Sequence, residues 1–111
     1  MTKAELFDKD FQHLARIFKA LGHPARLAIL DYIANQEVCI TGDISNHLPL
    51  SRSTVNQHLE ELRSYGIIKG EIEGVKVNYC IDRNILKSIK EKTQNFLGTL
   101  EKCNGQNNCS T

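Results

Sequence analysis

Four cysteines stand at positions 39, 80, 103 and 109 of this 111-residue chain. As thiolates they are soft ligands and nucleophiles, so their chemistry is soft-ion binding or thiol oxidation. Cys103 and Cys109 form a C-x5-C pair in "EKCNGQNNCST", beyond the last apolar residue, Leu100. A tail of Asn, Gly, Gln and Ser has little to bury, so two cysteines there are either incidental or ordered by a ligand. Cys39, in "EVCITGD", precedes an expected helix N-terminus, where the thiolate form is favoured. Beside Ile40 it can equally be core filler. Cys39, Cys103 and Cys109 together would supply three thiolates, the pyramid that trivalent arsenic or antimony takes. Cys80 falls by alternation on the polar face of an expected strand, apart from that set, and is the less favoured member.

A second constellation is polar. In "SRSTVNQHLEELRS" the side chains of Arg52, Ser53, Asn56 and Gln57, with Thr54 and His58 beside them, lie away from the apolar stripe Val55, Leu59 and Leu62. Arg bridges guanine, and Asn or Gln bridges adenine, by paired hydrogen bonds at major-groove edges. These residues crowd the N-terminal half of their helix, where a recognition helix meets bases. On this fragment alone, a merely solvated face is an equal reading. Glu60 and Glu61 further along would repel phosphate, and so are expected to face solvent or another helix.

Composition neither supports nor excludes nucleic acid. Formal net charge is +1, with 41% hydrophobic and 24% charged residues, the balance of an ordinary globular domain. Any phosphate-binding surface must come from the placement of a few cations, doubled by dimerisation. No apolar run approaches the roughly 20 residues of a membrane span. "MTKAELFDKD" lacks the apolar core of a signal peptide, so a cytoplasmic location with reduced or metal-bound cysteines is the expectation.

The elements that must position these residues follow from periodicity. Phe7, Phe11, Leu14, Phe18 and Leu21 form one helical stripe, ended by Gly22. Pro24 suits the first turn of a second helix with Leu27, Leu30 and Ile33 facing a core. A third short helix is expected from Thr41, with Asp43 in its first turn and Ile44 and Leu48 four apart. Pro49 makes a sharp turn, Ser51 caps the fourth helix and Gly66 closes it. The period then changes to two: "IIKGEI" and "VKVNYCI" read as a two-stranded hairpin turning at Glu73–Gly74, with Val75, Val77, Tyr79 and Ile81 on one face. Lys69 and Lys76 flank this hairpin as phosphate contacts, opposed by Glu71 and Glu73. A fifth helix carries Ile85, Leu86, Ile89, Phe96, Leu97 and Leu100, more apolar surface than a small domain covers by itself. With the first helix it is the expected dimer interface.

The expected architecture is therefore mainly α with a small β-hairpin wing: a winged helix-turn-helix of five helices and two strands, acting as a homodimer. Residues 1–102 form the DNA-binding and dimerisation domain, and 103–111 a cysteine-containing tail. "LGHPARLAIL", "SRSTVNQHLEELRSYGIIKG" and "EGVKVNYCI" together resemble the ArsR/SmtB family of bacterial winged-helix repressors, over roughly residues 7–100. The resemblance implies a homodimer on double-stranded operator DNA, released by an inducer, with the "SRSTVNQHL" helix in the major groove. It implies no organic cofactor.

Within that family "EVCITGD" is similar to an "ELCVCDL" element whose cysteines bind soft metals or metalloids. Cys39 matches the first of them, and Thr41 stands where the second would be. A site must then recruit thiols from elsewhere, which suits Cys103 and Cys109 and the arsenic-sensing branch. Zinc-sensing members carry histidines on the last helix. The matching "DRNILKS" and "NFLGTLEK" have none, and His13, His23, His47 and His58 are scattered. Sulfur-sensing relatives place a cysteine in the second helix, where "LAILDYI" has Asp31. A thiol-redox or persulfide sensor, and a cadmium, lead or zinc sensor using Cys80, are the alternatives. A cysteine hydrolase would need a paired His and a substrate cleft, and nothing in the histidine placement suggests an enzyme.

Overall fold

The computed structural model describes residues 3–36, 40–41, 44–73 and 76–102. A 3-10 turn, Lys3–Leu6, leads into α1, Lys9–Leu21, which starts where the Asp8 carboxylate accepts a hydrogen bond from the Asp10 N–H. Gly22 ends it. α2, Pro24–Ala34, has Pro24 in its first turn and His23 as its cap. β1, Ile40–Thr41, precedes a 3-10 turn, Ser45–His47. α3, Arg52–Ser64, is followed by β2, Ile68–Glu73, β3, Lys76–Ile81, and α4, Arg83–Glu101.

Two expectations are corrected here. There are four α-helices among the described residues, not five. The sequence "ISNHL" makes a single 3-10 turn, with Leu48 already extended at φ −132° and ψ 150°. The i,i+4 spacing of Ile44 and Leu48 imitates a helix, but Pro49 drives Leu48 out of helical geometry. Thr41, where that helix is expected to start, is strand rather than helix, and Asp43 lies outside the described residues. Ile40 and Thr41, both β-branched, pair with Tyr79 and Asn78, so the sheet has three antiparallel strands in the order β1-β3-β2. The hairpin is as expected, but its turn is one residue later: Ile68 lies opposite Ile81, and Glu73, expected in the turn, ends β2 opposite Lys76. Gly74 and Val75 lie outside the described residues.

The core joins α1, α2, α3, the sheet and α4 through Leu14, Ile17, Ala20, Ile29, Ile33, Ile44, Val55, Leu59, Leu62, Ile67, Ile68 and Ile89. α2 turns a different face inward from the one its leucines suggest. Ala25, Ile29 and Ile33 are buried, Leu30 is half-buried and Leu27 is exposed. This helix is apolar nearly all round, so spacing alone could not select the face. α4 buries only Ile89. Phe11 and Phe18 on α1 and Leu86, Leu97 and Leu100 on α4 remain exposed, as does Phe7 just before α1.

Candidate nucleic-acid interface

α3 is fixed at both ends and along one face. At its start the Ser51 hydroxyl accepts a hydrogen bond from the Thr54 N–H (3.2 Å) and donates to the Thr54 hydroxyl (2.8 Å). At its end Gly66 takes φ +82°; the Ile67 N–H bonds the Leu62 carbonyl (3.1 Å) and the Gly66 N–H that of Arg63 (2.9 Å). That reversal needs a left-handed residue and turns the chain directly into β2. Val55, Leu59 and Leu62 are fully or almost fully buried. Arg52, Ser53, Asn56 and Gln57 project from the opposite side and are exposed. A helix with one face locked in a core and a row of forked polar groups on the other can enter a major groove without moving its own backbone.

The remaining sequence-derived residues fall in two groups. Thr54 and His58 are half-buried. Thr54 serves the cap, and His58 turns toward α2, where its Nδ1 accepts a hydrogen bond from Arg26 Nε at 3.2 Å. The His58 ring lies 4.8 Å from that of His23. Lys69 is exposed on β2, opposite Cys80, and Lys76 opens β3.

Arg26 is the connecting residue that spacing gave no reason to single out. It is 13% exposed and forms an ion pair with Glu61 of α3. Its guanidinium also donates to the Lys19 and Ala20 carbonyls at 3.3 Å, so one side chain joins the end of α1, the start of α2 and the flank of α3. Glu61 thus faces another helix, while Glu60 pairs with Arg63 along α3. His23 Nδ1 accepts the Ala25 N–H at 2.9 Å, which caps α2. Both imidazoles accept through Nδ1. Burial, with the neighbouring His23 and Arg26 outweighing Glu61, holds His58 below the usual histidine range. A second ring contact stacks Tyr32 of α2 on His47 of the 3-10 turn, centroids 5.2 Å apart, and steadies the first half of the motif.

The thiol constellation stands differently. Cys39, Cys103 and Cys109 lie outside the described residues, as does any helix N-terminus at Cys39. Among the described residues no group of three His, Cys, Asp or Glu side chains could hold a metal ion. Cys80, expected on the polar face of its strand, is half-buried on β3 and its sulfur is in a disulfide. No helix among the described residues is long and apolar enough to cross a membrane.

Comparison with known proteins follows the same lines. Residues 23–69, from the α2 cap into β2, match the family model described as "Bacterial regulatory protein, arsR family". The HTH-type transcriptional regulator CmtR of Mycobacterium tuberculosis is 37% identical over 82 residues, which cover 73% of this chain and 69% of CmtR. The cadmium resistance transcriptional regulatory protein CadC homolog of Staphylococcus aureus is 32% identical over 92 residues, covering 82% of this chain and 75% of that protein. An ArsR-like transcriptional regulator from Rhodococcus sp. RHA1 shares the fold with a TM-score of 0.73 over 88% of this chain and 92% of that one, at 19% identity.

Proposed function

Because the chain belongs to the arsR family of bacterial regulatory proteins, we propose that it is a homodimeric, metal-responsive transcriptional repressor, released from operator DNA when a thiophilic ion binds its cysteines. The observation that carries the DNA half is α3: capped, core-locked and presenting Arg52, Ser53, Asn56 and Gln57 outward. Those four residues read base edges. Thr54 and His58 hold the helix in position, and Lys69 and Lys76 contact phosphate from the wing. The dimer forms through α1 and α4, whose outer faces carry the exposed phenylalanines and leucines.

The inducer is trivalent arsenic or antimony, bound by the thiolates of Cys39, Cys103 and Cys109. The donor chemistry fits: three sulfurs and no histidine partner suit a soft, pyramidal ion. Because α4 leads into the tail, a ligand joining the tail to Cys39 would couple the dimer element to the helix-turn-helix. Release then follows from unequal affinity for two arrangements of the dimer. A cadmium, lead or zinc sensor is the second reading, favoured by likeness to a protein named for cadmium resistance. The test is a DNA-release titration with arsenite, antimonite, cadmium and zinc on the wild type and on Cys39→Ser, Cys103→Ser and Cys109→Ser. Arsenite should release the wild type, and each substitution should weaken the response. Full arsenite response in Cys39→Ser would remove Cys39 from the site.

A further inference from the structure

The flank of α3 that faces α2 carries two polar residues held by one side chain. His58 and Glu61 stand three positions apart and are neighbours on the helix surface. Both meet the guanidinium of Arg26: His58 Nδ1 accepts from Nε at 3.2 Å, and Glu61 pairs with Nη2. Nη1 donates to the Lys19 and Ala20 carbonyls, each at 3.3 Å. Those carbonyls belong to the last turn of α1, where acceptors are left over and a positive charge is favoured. One flat, rigid group on α2 therefore binds α1 and α3 together, with its partners in fixed directions around it. Burial of Val55, Leu59 and Leu62 keeps α3 against the core. Hydrophobic contact is non-directional, however, and by itself tolerates some roll about the helix axis. A roll of about 20° carries side-chain tips, roughly 5–6 Å from that axis, through about 2 Å. That is enough to break paired hydrogen bonds to a base edge.

We infer that Arg26 is the positioning residue of the reading helix: through Glu61 and His58 it fixes the roll of α3 relative to the end of α1, and so the register of Ser53, Asn56 and Gln57 on bases. The DNA half of this rests on the function proposed above. Arg26 acts from behind the reading face, being only 13% exposed. α1 is also the helix given to the subunit interface, so the same contact ties the reading face to the arrangement of the dimer. A lysine at this position would keep the charge opposite Glu61. Its donors leave from a single point, however, and cannot also span His58 and the two carbonyls. The fork, not the charge alone, does the positioning.

The test compares the full-length wild type with Arg26→Lys and Glu61→Gln; the second cuts the ion pair from its more exposed side. Backbone N–H residual dipolar couplings give the orientation of α3 relative to α1 with no DNA present. Each helix should stay internally unchanged while α3 rolls relative to α1 in both variants. An orientation identical to wild type in either variant would overturn the inference. Affinity is then measured for DNA from upstream of the gene and for a scrambled duplex of the same length and composition. Phosphate attraction acts on both duplexes, so the ratio of the two affinities isolates base reading. That ratio should fall about 10-fold in each variant, the worth of one paired base contact. An undiminished ratio in a variant whose α3 has rolled would equally overturn the part given to Arg26 in reading. Failure of the function itself looks different: the wild type would bind both duplexes alike, and the dipolar couplings would still decide what Arg26 positions.

Discussion

At the scale of single residues, Arg26 and His58 connect the sequence to its function through chemistry that spacing does not reveal. Arg26 holds Glu61 by charge and His58 by a hydrogen bond to an unprotonated ring nitrogen. Protonating His58 replaces that hydrogen bond with two like charges, close to the His23 ring. Because burial and these neighbours lower the folded pKa below the unfolded value of about 6.5, the unfolded chain binds the proton more readily. The contribution of His58 is therefore complete above about pH 6.5 and is lost as pH falls through the folded pKa. Thermal unfolding between pH 7.5 and 5.5 should show Tm falling with pH, and His58→Gln should flatten that slope relative to wild type; an unchanged slope would contradict the role given to His58. On the outer face of α3 the effect is on recognition, not folding. Gln57→Ala should weaken operator binding about 5- to 100-fold, the worth of one paired base contact, while leaving Tm nearly unchanged.

Among the elements, α3 was the most legible in the sequence, since local signals agree on it. Ser51 caps it, Val55, Leu59 and Leu62 give its stripe, and Gly66 supplies the left-handed exit. Ser51→Ala should cost about 1 kcal/mol in urea unfolding, and Leu62→Ala about 2–5 kcal/mol because the site is fully enclosed. The segment before α3 was misread for the opposite reason. β1 is two residues long and exists through pairing with β3, some forty positions away, which no local pattern records. Its neighbours Ile44 and Leu48 then offered a false helical spacing. Cys80 shows the same limit of local pattern: alternation assigns it to the polar side of a two-stranded hairpin, whereas it is half-buried on the central strand of a three-stranded sheet. α2 erred in its inward face only, because a helix rich in apolar residues all round has no single stripe to read.

For the molecule as a whole, shape and apolar surface point beyond one subunit. The radius of gyration is 17.3 Å, against ~13 Å for a compact chain of about 100 residues. Phe11 and Phe96 meet edge to face at 6.4 Å beside an open groove of about 390 Å³ between α1 and α4, and Leu97 and Leu100 stand exposed on α4. Leu97→Glu with Leu100→Glu should leave the subunit folded, since both are exposed. Sedimentation should then show a monomer where the wild type is a dimer, and operator affinity should fall by at least 10-fold with one half-site lost. The proposed three-thiol site rests on donor chemistry alone, because its candidate members come from a segment before the helix-turn-helix and from a tail in which no periodicity is present. Release from DNA on metal binding at thiols, as proposed above, is read by fluorescence anisotropy. Reduced wild-type protein is bound to labelled DNA from upstream of its own gene and titrated with arsenite. The expected result is tight, salt-sensitive binding that arsenite reverses and that a competing small dithiol restores. Failure to bind that DNA at low salt, or binding that neither arsenite, antimonite nor cadmium disturbs, would contradict it.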